Sequence, residues 1–380
     1  SSVCKSGNSG ITKIVLFLLF LEKRRKMFNF VVNTHQSVLK PMQRHVTIKD
    51  IANALNISKS TVSRALADRF DVNPETRKAV LEMAEKLHYK PNPSALSLLS
   101  RRTKTIGIVV PGFTGSFFPR IIAEIQNVTE EYGFRVLITQ SNGSSEVERR
   151  NLRMLEDNMV EGIILSMTHQ DDNVDYYRHL LDTGIPLVFF NRVCEAVPAS
   201  RVCIDDCRMS SLAFEHLIAQ GYRRVLYFRG PEQIYNTEPR YRGYREALRD
   251  HGIPFDERLV CNCRDITLEE GLRLTEESLA AGIGFDAVYA FGDPLAFGVL
   301  RALKAHGIRI PDQVGVMGFT ESTTAPLLSP SLTSVAQPLE QMGRLSAELL
   351  LEKIENPGKP DRTEILDARI NVRESTDRKR

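Results

Sequence analysis

Small polar and basic side chains that can contact a base pair are concentrated between residues 58 and 64. This stretch has the sequence Ser-Lys-Ser-Thr-Val-Ser-Arg, and Val62 begins an apolar set at helical spacing that continues with Ala65 and Leu66. A helix would bury that set and leave a polar face open, which comprises Lys59, Ser60, Ser63 and Arg64. Short side chains let a helix axis approach the floor of a major groove, where Arg64 can donate two hydrogen bonds to guanine. The stretch therefore predicts a surface that contacts bases.

Residues that cap helices surround this face and can also bind phosphate oxygens. Thr47 and Asp50 form a capping-box pattern, Ser58 precedes the next helix, and Asn73-Pro74 starts a third. Hydroxyl contacts to phosphates fix the register of a protein on DNA without reading its sequence. We expect such contacts from Thr47, Ser58, Thr61, Ser63 and Thr76. The pattern is that of a helix-turn-helix, and a generic three-helix surface unit with capped ends is the alternative.

Charge separates this head, residues 43–90, from the rest of the 380-residue chain. Residues 43–104 hold 12 Lys and Arg and 6 Asp and Glu, whereas the formal net charge of the whole chain is only +3. A small basic module on a near-neutral body suits a partner made of phosphates. The hydrophobic content of 42% and the charged content of 26% are typical of a soluble protein with a sizeable core.

Residues 91–104 form a candidate hinge helix and linker. Asn92-Pro93 can start a short helix whose apolar residues have no partner within the head. A helix of this length is marginal in water, so it can form on DNA and wedge a leucine into the minor groove. We expect DNA contacts from Asn92, Ala95 and Leu98. A plain linker is the alternative.

The first 42 residues differ from everything that follows. Residues 14–21 are an unbroken apolar run next to a basic cluster, far shorter than the ~20 residues that span a bilayer. The run resembles the core of a signal peptide, but no small-residue cleavage site follows it. We interpret residues 1–42 as a leader that is disordered or not native, with the native start at Met42 or Met27.

From residue 105 onward, short β-branched runs alternate with helical segments. The strand candidates are 106–110, 135–139, 162–166, 187–190, 225–228, 287–290 and 314–318. Such alternation predicts doubly wound parallel sheets with helices between the strands. About 270 residues are more than one sheet usually holds, so residues 105–375 are expected to form two lobes. The predicted fold is an all-α helix-turn-helix head followed by a two-lobed α/β core.

Polar and aromatic side chains that follow predicted strands are candidates for a small-molecule site. In parallel α/β folds, ligands bind beyond the carboxyl ends of the strands. The candidates are Phe113, Ser116, Phe118, Asn191, Arg192, Arg240, Asp293 and Thr320. Aromatic rings can stack on a sugar or a base, and arginine and aspartate can bind vicinal hydroxyls or a carboxylate. An ordinary surface or loop-capping role is the alternative for any one of them.

The head and the start of the hinge contain two specific motifs. The first is Thr61-Val62-Ser63-Arg64, and the second, which joins the head to the hinge, is Tyr89-Lys90-Pro91-Asn92. With the order of the elements around them, they resemble the lactose-repressor (LacI/GalR) family of bacterial transcription regulators. The similarity covers residues 46–374. It implies that Lys59, Ser60 and Arg64 contact bases, that Leu98 intercalates, and that Arg240 and Asp293 contact an effector.

The same resemblance implies two lobes like those of periplasmic sugar-binding proteins, crossed three times by the chain. We place the crossovers near residues 204–205, 335–337 and 356–362. Lobe 1 then comprises about 105–205 and 337–358, and lobe 2 comprises about 206–335 and 360–375. Three residues depart from the commoner pattern of the family: Leu96, Asn191 and Thr320. The last two stand where acids are frequent, which favours a more anionic effector or a differently hydroxylated one.

Residues with catalytic or metal-binding spacing are not evident. Cys261 and Cys263 are too close together for a metal finger, and no histidine lies nearby. We therefore predict no enzyme activity, no catalytic residue, no metal and no cofactor.

The residues favour a cytoplasmic, sequence-specific transcription regulator, a repressor in type, that binds double-stranded operator DNA as a homodimer and no membrane. A small molecule bound between the lobes, a sugar or a related metabolite, would control its operator affinity. The alternatives are an extracytoplasmic sugar receptor and an enzyme on the same scaffold.

Overall fold

A computed structural model describes residues 46–67, 72–89 and 102–378 of the chain. These residues belong to two compact units, which divide between residues 99 and 100. The predicted leader and most of the predicted hinge, including Asn92, Ala95 and Leu98, lie outside the described residues.

The described residues of the N-terminal unit form three short helices, which are α1 (Ile48–Leu55), α2 (Lys59–Leu66) and α3 (Pro74–Lys86). Asn56 ends α1 in the left-handed backbone conformation, with φ 53°, so that α2 begins three residues later. Among the described residues, the buried apolar side chains between the helices are Ile51, Ala52, Val62, Ala65, Val80 and Ala84. The predicted helix-turn-helix arrangement is therefore present.

The first part of the C-terminal unit alternates strands and helices. Its strands are β1 (Thr105–Val110), β2 (Arg135–Gln140), β3 (Ile163–Leu165), β4 (Leu187–Phe190) and β5 (Ser200–Ile204). Its helices are α4 (Phe117–Glu131), α5 (Ser145–Asp157) and α6 (Val174–Asp182). Ile106 and Ile108 of β1 pack with α4 in one hydrophobic core, whereas Val109 packs with α5 in another. Both faces of the sheet are therefore covered, which explains the unbroken apolar runs.

The next part repeats the alternation. Its helices are α7 (Asp206–Ala219), α8 (Thr237–Asp250), α9 (Leu268–Ala280) and α10 (Asp293–Ala305). Its strands are β6 (Val225–Arg229), β7 (Val260–Asn262), β8 (Ala287–Ala290), β9 (Gly315–Phe319) and β10 (Thr333–Ala336). Two 3-10 turns, Glu257–Leu259 and Ala325–Leu327, lie in the loops. The chain then continues through α11 (Leu339–Glu355), β11 (Thr363–Leu366) and β12 (Arg369–Asn371).

The strands form two six-stranded sheets, one in each lobe. The order in lobe 1 is β11-β5-β4-β3-β1-β2, and all neighbours are parallel. The order in lobe 2 is β12-β10-β9-β8-β6-β7, and only β12 is antiparallel to its neighbour. The predicted core of two lobes with doubly wound parallel sheets is confirmed.

The chain crosses between the lobes three times, twice at the predicted places. The first crossover follows β5 and the second follows β10. The third was predicted at residues 356–362, but it lies between β11 and β12. Thr363 stands opposite Arg201 in a parallel pairing of β11 with β5, so residues 363–366 belong to lobe 1 and not to lobe 2.

Candidate functional site

The polar face of α2 is presented to solvent as predicted. Lys59, Ser60 and Arg64 are exposed and Ser63 is half-buried, whereas Val62 is fully buried in the small core of the unit. The Nε of Arg64 donates a hydrogen bond to the carbonyl oxygen of Ser60, 3.3 Å away, which aligns the side chain along the helix. A basic and hydroxyl-rich helix face of this kind can enter a major groove.

Capping interactions hold the start of each helix in this unit. The Asp50 carboxylate accepts hydrogen bonds from the backbone N–H and the hydroxyl of Thr47, at 2.8 and 2.7 Å. Ser58 Oγ accepts from the Thr61 backbone N–H at 3.0 Å and lies 2.8 Å from Thr61 Oγ1. Because these hydroxyls already serve the helix ends, a phosphate contact by Thr47, Ser58 or Thr61 has to share them. Thr76, in the first turn of α3, is half-buried.

A cavity of about 430 Å³ lies between the two lobes of the C-terminal unit. Its wall is formed by segments that follow strands in both sheets, which lie within residues 111–118, 143, 168–169, 191–192, 231–240, 264–266, 291–294 and 320. This is the edge where the carboxyl ends of parallel strands meet, so the general rule for α/β folds holds in both lobes. The volume lies in the range of small-molecule sites.

Five of the eight side chains predicted for this site line the cavity, namely Phe118, Asn191, Arg192, Arg240 and Thr320. The other three do not. Phe113 is 41% exposed, and Ser116 Oγ accepts a hydrogen bond from the Thr323 backbone N–H of the opposite lobe at 3.3 Å. Asp293 is fully buried beside the cavity and does not line it.

Asp293 is turned away because it starts α10 and its carboxylate is bonded to the neighbouring loop. It accepts hydrogen bonds from the Ser334 hydroxyl and the Ser322 backbone N–H, both at 2.6 Å. Gly318 leaves room for it, since a Cβ there would lie 2.3 Å from the nearer carboxylate oxygen. Burial raises the pKa of Asp293 to about 6, although the hydrogen bonds from Ser334 and Ser322 oppose the rise. In this conformation the residue supports the cleft and does not face it.

Arg240 is held by a buried ion pair at the base of the cavity. Its Nε donates to the Asp206 carboxylate at 2.7 Å, and a second nitrogen donates to the carbonyl oxygen of Phe291 at 2.7 Å. The guanidinium carbon lies 3.5 Å from the centre of the Phe319 ring. A Cβ at Gly243 would meet the Cys207 carbonyl oxygen at 2.1 Å. Glycine in the Arg-x-x-Gly-Tyr motif therefore lets α8 pack closely on α7, which brings Arg240 to Asp206.

Arg192 reaches the same cavity from lobe 1 but has a different environment. Its guanidinium donates to the Thr168 carbonyl oxygen at 3.2 Å. Burial lowers the pKa of Arg192 to about 10, the nearby charge of Arg240 lowers it further, and Glu148 opposes the fall. The side chain remains a cation at neutral pH.

Direct hydrogen bonds join the lobes around the cavity. The Gln170 backbone N–H donates to the Gln233 carbonyl oxygen at 2.9 Å, and the Tyr235 hydroxyl donates to Glu195 at 2.9 Å. The Asn236 side-chain amide donates to the Asn191 carbonyl oxygen at 3.2 Å and to Asp206 at 2.6 Å. Three of these residues, Asn191, Gln233 and Asn236, also line the cavity.

Several residues of the site were not predicted. Thr168 and His169 follow β3, and their position after a predicted strand was a usable signal. Arg264 and Asp265 follow β7, a three-residue strand that the sequence pattern did not reveal. Asp206 was missed because its ion pair with Arg240 joins residues 34 positions apart.

Within residues 46–67, 72–89 and 102–378, no helix is both long and apolar enough to cross a bilayer. In the same part of the chain, no three His, Cys, Asp or Glu side chains are grouped closely enough to hold a metal ion.

The chain matches known proteins along most of its length. A domain described as "Bacterial regulatory proteins, lacI family" matches residues 47–92, and a "Periplasmic binding protein-like domain" matches residues 214–376. The chain is 33% identical over 342 residues to the HTH-type transcriptional regulator CelR of Thermobifida fusca, which covers 88% of this chain and 99% of CelR. It is 30% identical over 331 residues to a ribose operon repressor of Halalkalibacterium halodurans, which covers 87% and 97% of the two chains. By their names, both relatives are regulators of transcription.

Solved structures agree with these matches. A CelR–cellobiose complex superposes with a TM-score of 0.67 at 32% identity, covering 87% of this chain and all of the other. The lac repressor dimer bound to operator and the anti-inducer ONPF superposes with a TM-score of 0.77 at 22% identity, covering 88% and 99%, and shares the fold. On the strength of the CelR and ribose repressor matches, this chain belongs to the LacI family of bacterial regulatory proteins.

Proposed function

We propose that α2 of this transcription regulator reads operator bases through Lys59, Ser60 and Arg64, and that a small molecule in the interlobe cavity controls operator affinity. Membership of the LacI family makes the chain a sequence-specific DNA-binding regulator, and the predicted family and function are confirmed at that level. A regulator of transcription works where the bacterial chromosome lies, which is the cytoplasm. The observation that carries the finer proposal is the exposed Lys59–Arg64 face on a buried three-helix core.

The contacts to DNA divide into two kinds. Base contacts come from the exposed face of α2, and phosphate contacts come from hydroxyls at the helix ends, which are Thr47, Ser58, Thr61, Ser63 and Thr76. The hinge contacts of Asn92, Ala95 and Leu98 belong to the same proposal, and these three residues lie outside the described part of the chain. One head contacts only a few base pairs, so a homodimer on a two-fold symmetric operator is needed for useful specificity.

The effector acts by shifting the equilibrium between two lobe angles. A ligand that binds one arrangement more tightly changes the population of the form that binds DNA. The interlobe bonds of Tyr235 and Asn236 have to break or re-form when the angle changes, and they border the cavity. Relatives named for ribose and a solved complex with cellobiose support a sugar or a sugar derivative as the ligand.

The test uses the full chain and operator DNA selected from a random library. Arg64→Ala should weaken binding to the selected site about 10- to 100-fold and relax the preference at one base position, because it removes a bidentate contact to guanine. The matched control is Lys78→Ala, which removes an exposed cation from α3. Any loss of affinity should be equal for specific and non-specific DNA, because an exposed positive charge outside the α2 face attracts phosphates without reading bases. An unchanged ratio of specific to non-specific affinity in Arg64→Ala would contradict the proposed role of α2.

A further inference from the structure

Arg192 is a cavity-lining cation without a carboxylate partner in the described part of the chain. It follows β4, its guanidinium donates to the Thr168 carbonyl oxygen, and no described acidic side chain lies within ion-pair distance of it. Arg240, the other arginine at the base of the cavity, is paired with Asp206 at 2.7 Å. Of these two guanidinium groups, only that of Arg240 is in an ion pair among the described residues, whereas Glu148 acts on Arg192 from beyond ion-pair distance.

The other carboxylates near the cavity accept hydrogen bonds from neutral donors, which leave their negative charge in place. The Glu148 carboxylate accepts hydrogen bonds from the Thr168 backbone N–H at 2.7 Å and from the Asn173 amide at 2.8 Å. Asp265 accepts from the Thr267 hydroxyl at 2.5 Å. A third arginine, Arg264, lines the rim opposite and has no ion pair among the described residues. Among the described residues that line the cavity, three are arginines, Arg192, Arg240 and Arg264, and one is an acid, Asp265.

A guanidinium in such a confined space binds a planar or tetrahedral oxyanion better than it binds a neutral hydroxyl. Its N–H groups form a rigid fork that matches a carboxylate or a phosphate, and charge-assisted bonds are about twice as strong as neutral ones. Aromatic residues complete the site, since Phe118 and Phe291 line the cavity and can cover the face of a sugar ring. The site thus combines an apolar wall with an unpaired cation.

We propose that the effector is an anionic sugar derivative whose carboxylate or phosphate group is bound by Arg192. This inference rests on the proposed function, because it names the class of ligand for the same cavity. It also gives a physical reason for Asn191 and Thr320, since an acid at either lining position would repel such a ligand.

The test compares ligands that differ only in charge. Wild-type full-length protein is titrated by calorimetry with glucose, glucuronate and glucose 6-phosphate, and with the corresponding galactose series. A uronate or a sugar phosphate should bind at least about 10-fold more tightly than the neutral sugar, and its affinity should fall as salt is added. The uronate and phosphate arms identify which oxyanion the site takes. Equal or tighter binding of a neutral sugar would overturn the proposal.

Variants at Arg192 make the assignment specific. Arg192→Met should weaken binding of the anionic ligand about 10- to 100-fold, and Arg192→Lys should weaken it less because the charge is kept. Arg178→Met is the matched control, because Arg178 also donates to a backbone carbonyl, that of Ala196 at 3.0 Å, and lies outside the cavity. Equal affinities in Arg192→Met and Arg178→Met would overturn the proposal.

Inorganic sulfate provides a readout when no sugar of the panel binds. At low ionic strength, sulfate should raise the thermal midpoint of the wild type and of Arg178→Met more than that of Arg192→Met. Equal shifts in all three proteins would contradict an oxyanion site at Arg192.

Operator affinity measured with the same ligands separates the two proposals. A neutral sugar that changes DNA affinity contradicts the anionic site and leaves the proposed control by the cavity intact. An anion that binds through Arg192 and leaves DNA affinity unchanged supports the anionic site and contradicts that control.

Discussion

The polar face of α2 and the interlobe cavity hold their functional side chains in opposite ways. Lys59, Ser60 and Arg64 stand in solvent on a helix that packs on a small core, in which six of the described apolar side chains are buried. Arg240 is 3% exposed and is fixed by an ion pair and a carbonyl. An exposed surface can adapt to a large polyanion, whereas a buried site is pre-organised for one small ligand. The contrast predicts that substitution of the ion-paired Arg240 acts first on stability, and that substitutions on the exposed face of α2 act first on DNA binding.

The largest effect is expected at Arg240. Arg240→Met leaves the Asp206 carboxylate buried without its partner and should lower the free energy of unfolding of the C-terminal unit by about 3–5 kcal/mol. Urea denaturation followed by circular dichroism measures the loss. The double variant Arg240→Met with Asp206→Asn removes both charges and should recover part of it. A double variant as unstable as the sum of the two single variants would show that the ion pair is not what holds this site.

The core of the head is the next most sensitive place. Ile51→Ala removes most of a fully buried side chain and should lower the free energy of unfolding of the head by about 2–5 kcal/mol. A loss of that size should unfold a unit as small as this one. Hydrogen exchange of head peptides in the full chain should increase, and exchange in the C-terminal unit should not change. Ile51→Val, with an expected cost of about 0.5–1.5 kcal/mol, is the conservative control. Unchanged protection of the head from hydrogen exchange in Ile51→Ala would contradict the conclusion that this small core stabilises the head.

Asp293, buried beside the cavity, should make the stability of the C-terminal unit depend on pH. Burial raises the pKa of Asp293 to about 6 in the folded protein, whereas an aspartate in the unfolded chain has a pKa near 4. Between about pH 4 and pH 6, the folded state therefore holds a proton that the unfolded state has lost. The free energy of unfolding should therefore fall as the pH rises from 4 to 6, by an amount on the order of 3 kcal/mol.

The measurement is urea denaturation at several pH values between 4 and 7, for the wild type and for Asp293→Asn. The variant lacks the titrating carboxyl and can still accept a hydrogen bond from the Ser322 N–H. The difference in stability between the two proteins should change across this window. If the stability of both proteins changed with pH in the same way, Asp293 would not be the source of the pH dependence.

The smallest effect is expected at a helix cap. Ser58→Ala removes the acceptor of the Thr61 N–H and should destabilise the head by about 1 kcal/mol. Ser63→Ala, in the interior of α2, is the matched control and should leave stability unchanged or slightly raised, because alanine favours helices. Hydrogen exchange of head peptides, measured at increasing temperature, compares the stability of the head in the two variants. Equal stability of the two variants would mean that the cap contributes nothing.

Much of the fold was predictable because local patterns determine it. β1, β4 and β8 are buried on both faces and appear as apolar runs in the sequence. In contrast, β5 has partly exposed residues at alternate positions, and its neighbour β11 comes from about 160 residues later. A pairing over that distance leaves no local signal, so the third crossover was placed too early.

The candidate site, like the fold, was predicted in part. Position after a strand located Asn191, Arg192, Arg240 and Thr320, because that rule depends only on where each strand ends. The same rule misplaced Asp293, whose side chain is drawn into a pocket made by Gly318 and Ser334. Which way a side chain turns depends on its neighbours in the fold, and the sequence alone did not supply them.

The three crossovers have a consequence for how the protein is made. Lobe 1 takes β1 to β5 from the first half of the core and takes α11 and β11 from near its end. A ribosome adds roughly 5–20 residues per second, so on the order of 10 s or more separates the synthesis of β5 from that of β11. Until then, the edge of β5 is open, and lobe 1 cannot be complete. Most of lobe 2 is synthesised in the interval, and its strand β12 follows β11 directly, so neither sheet can be complete before residues 363–371 are made.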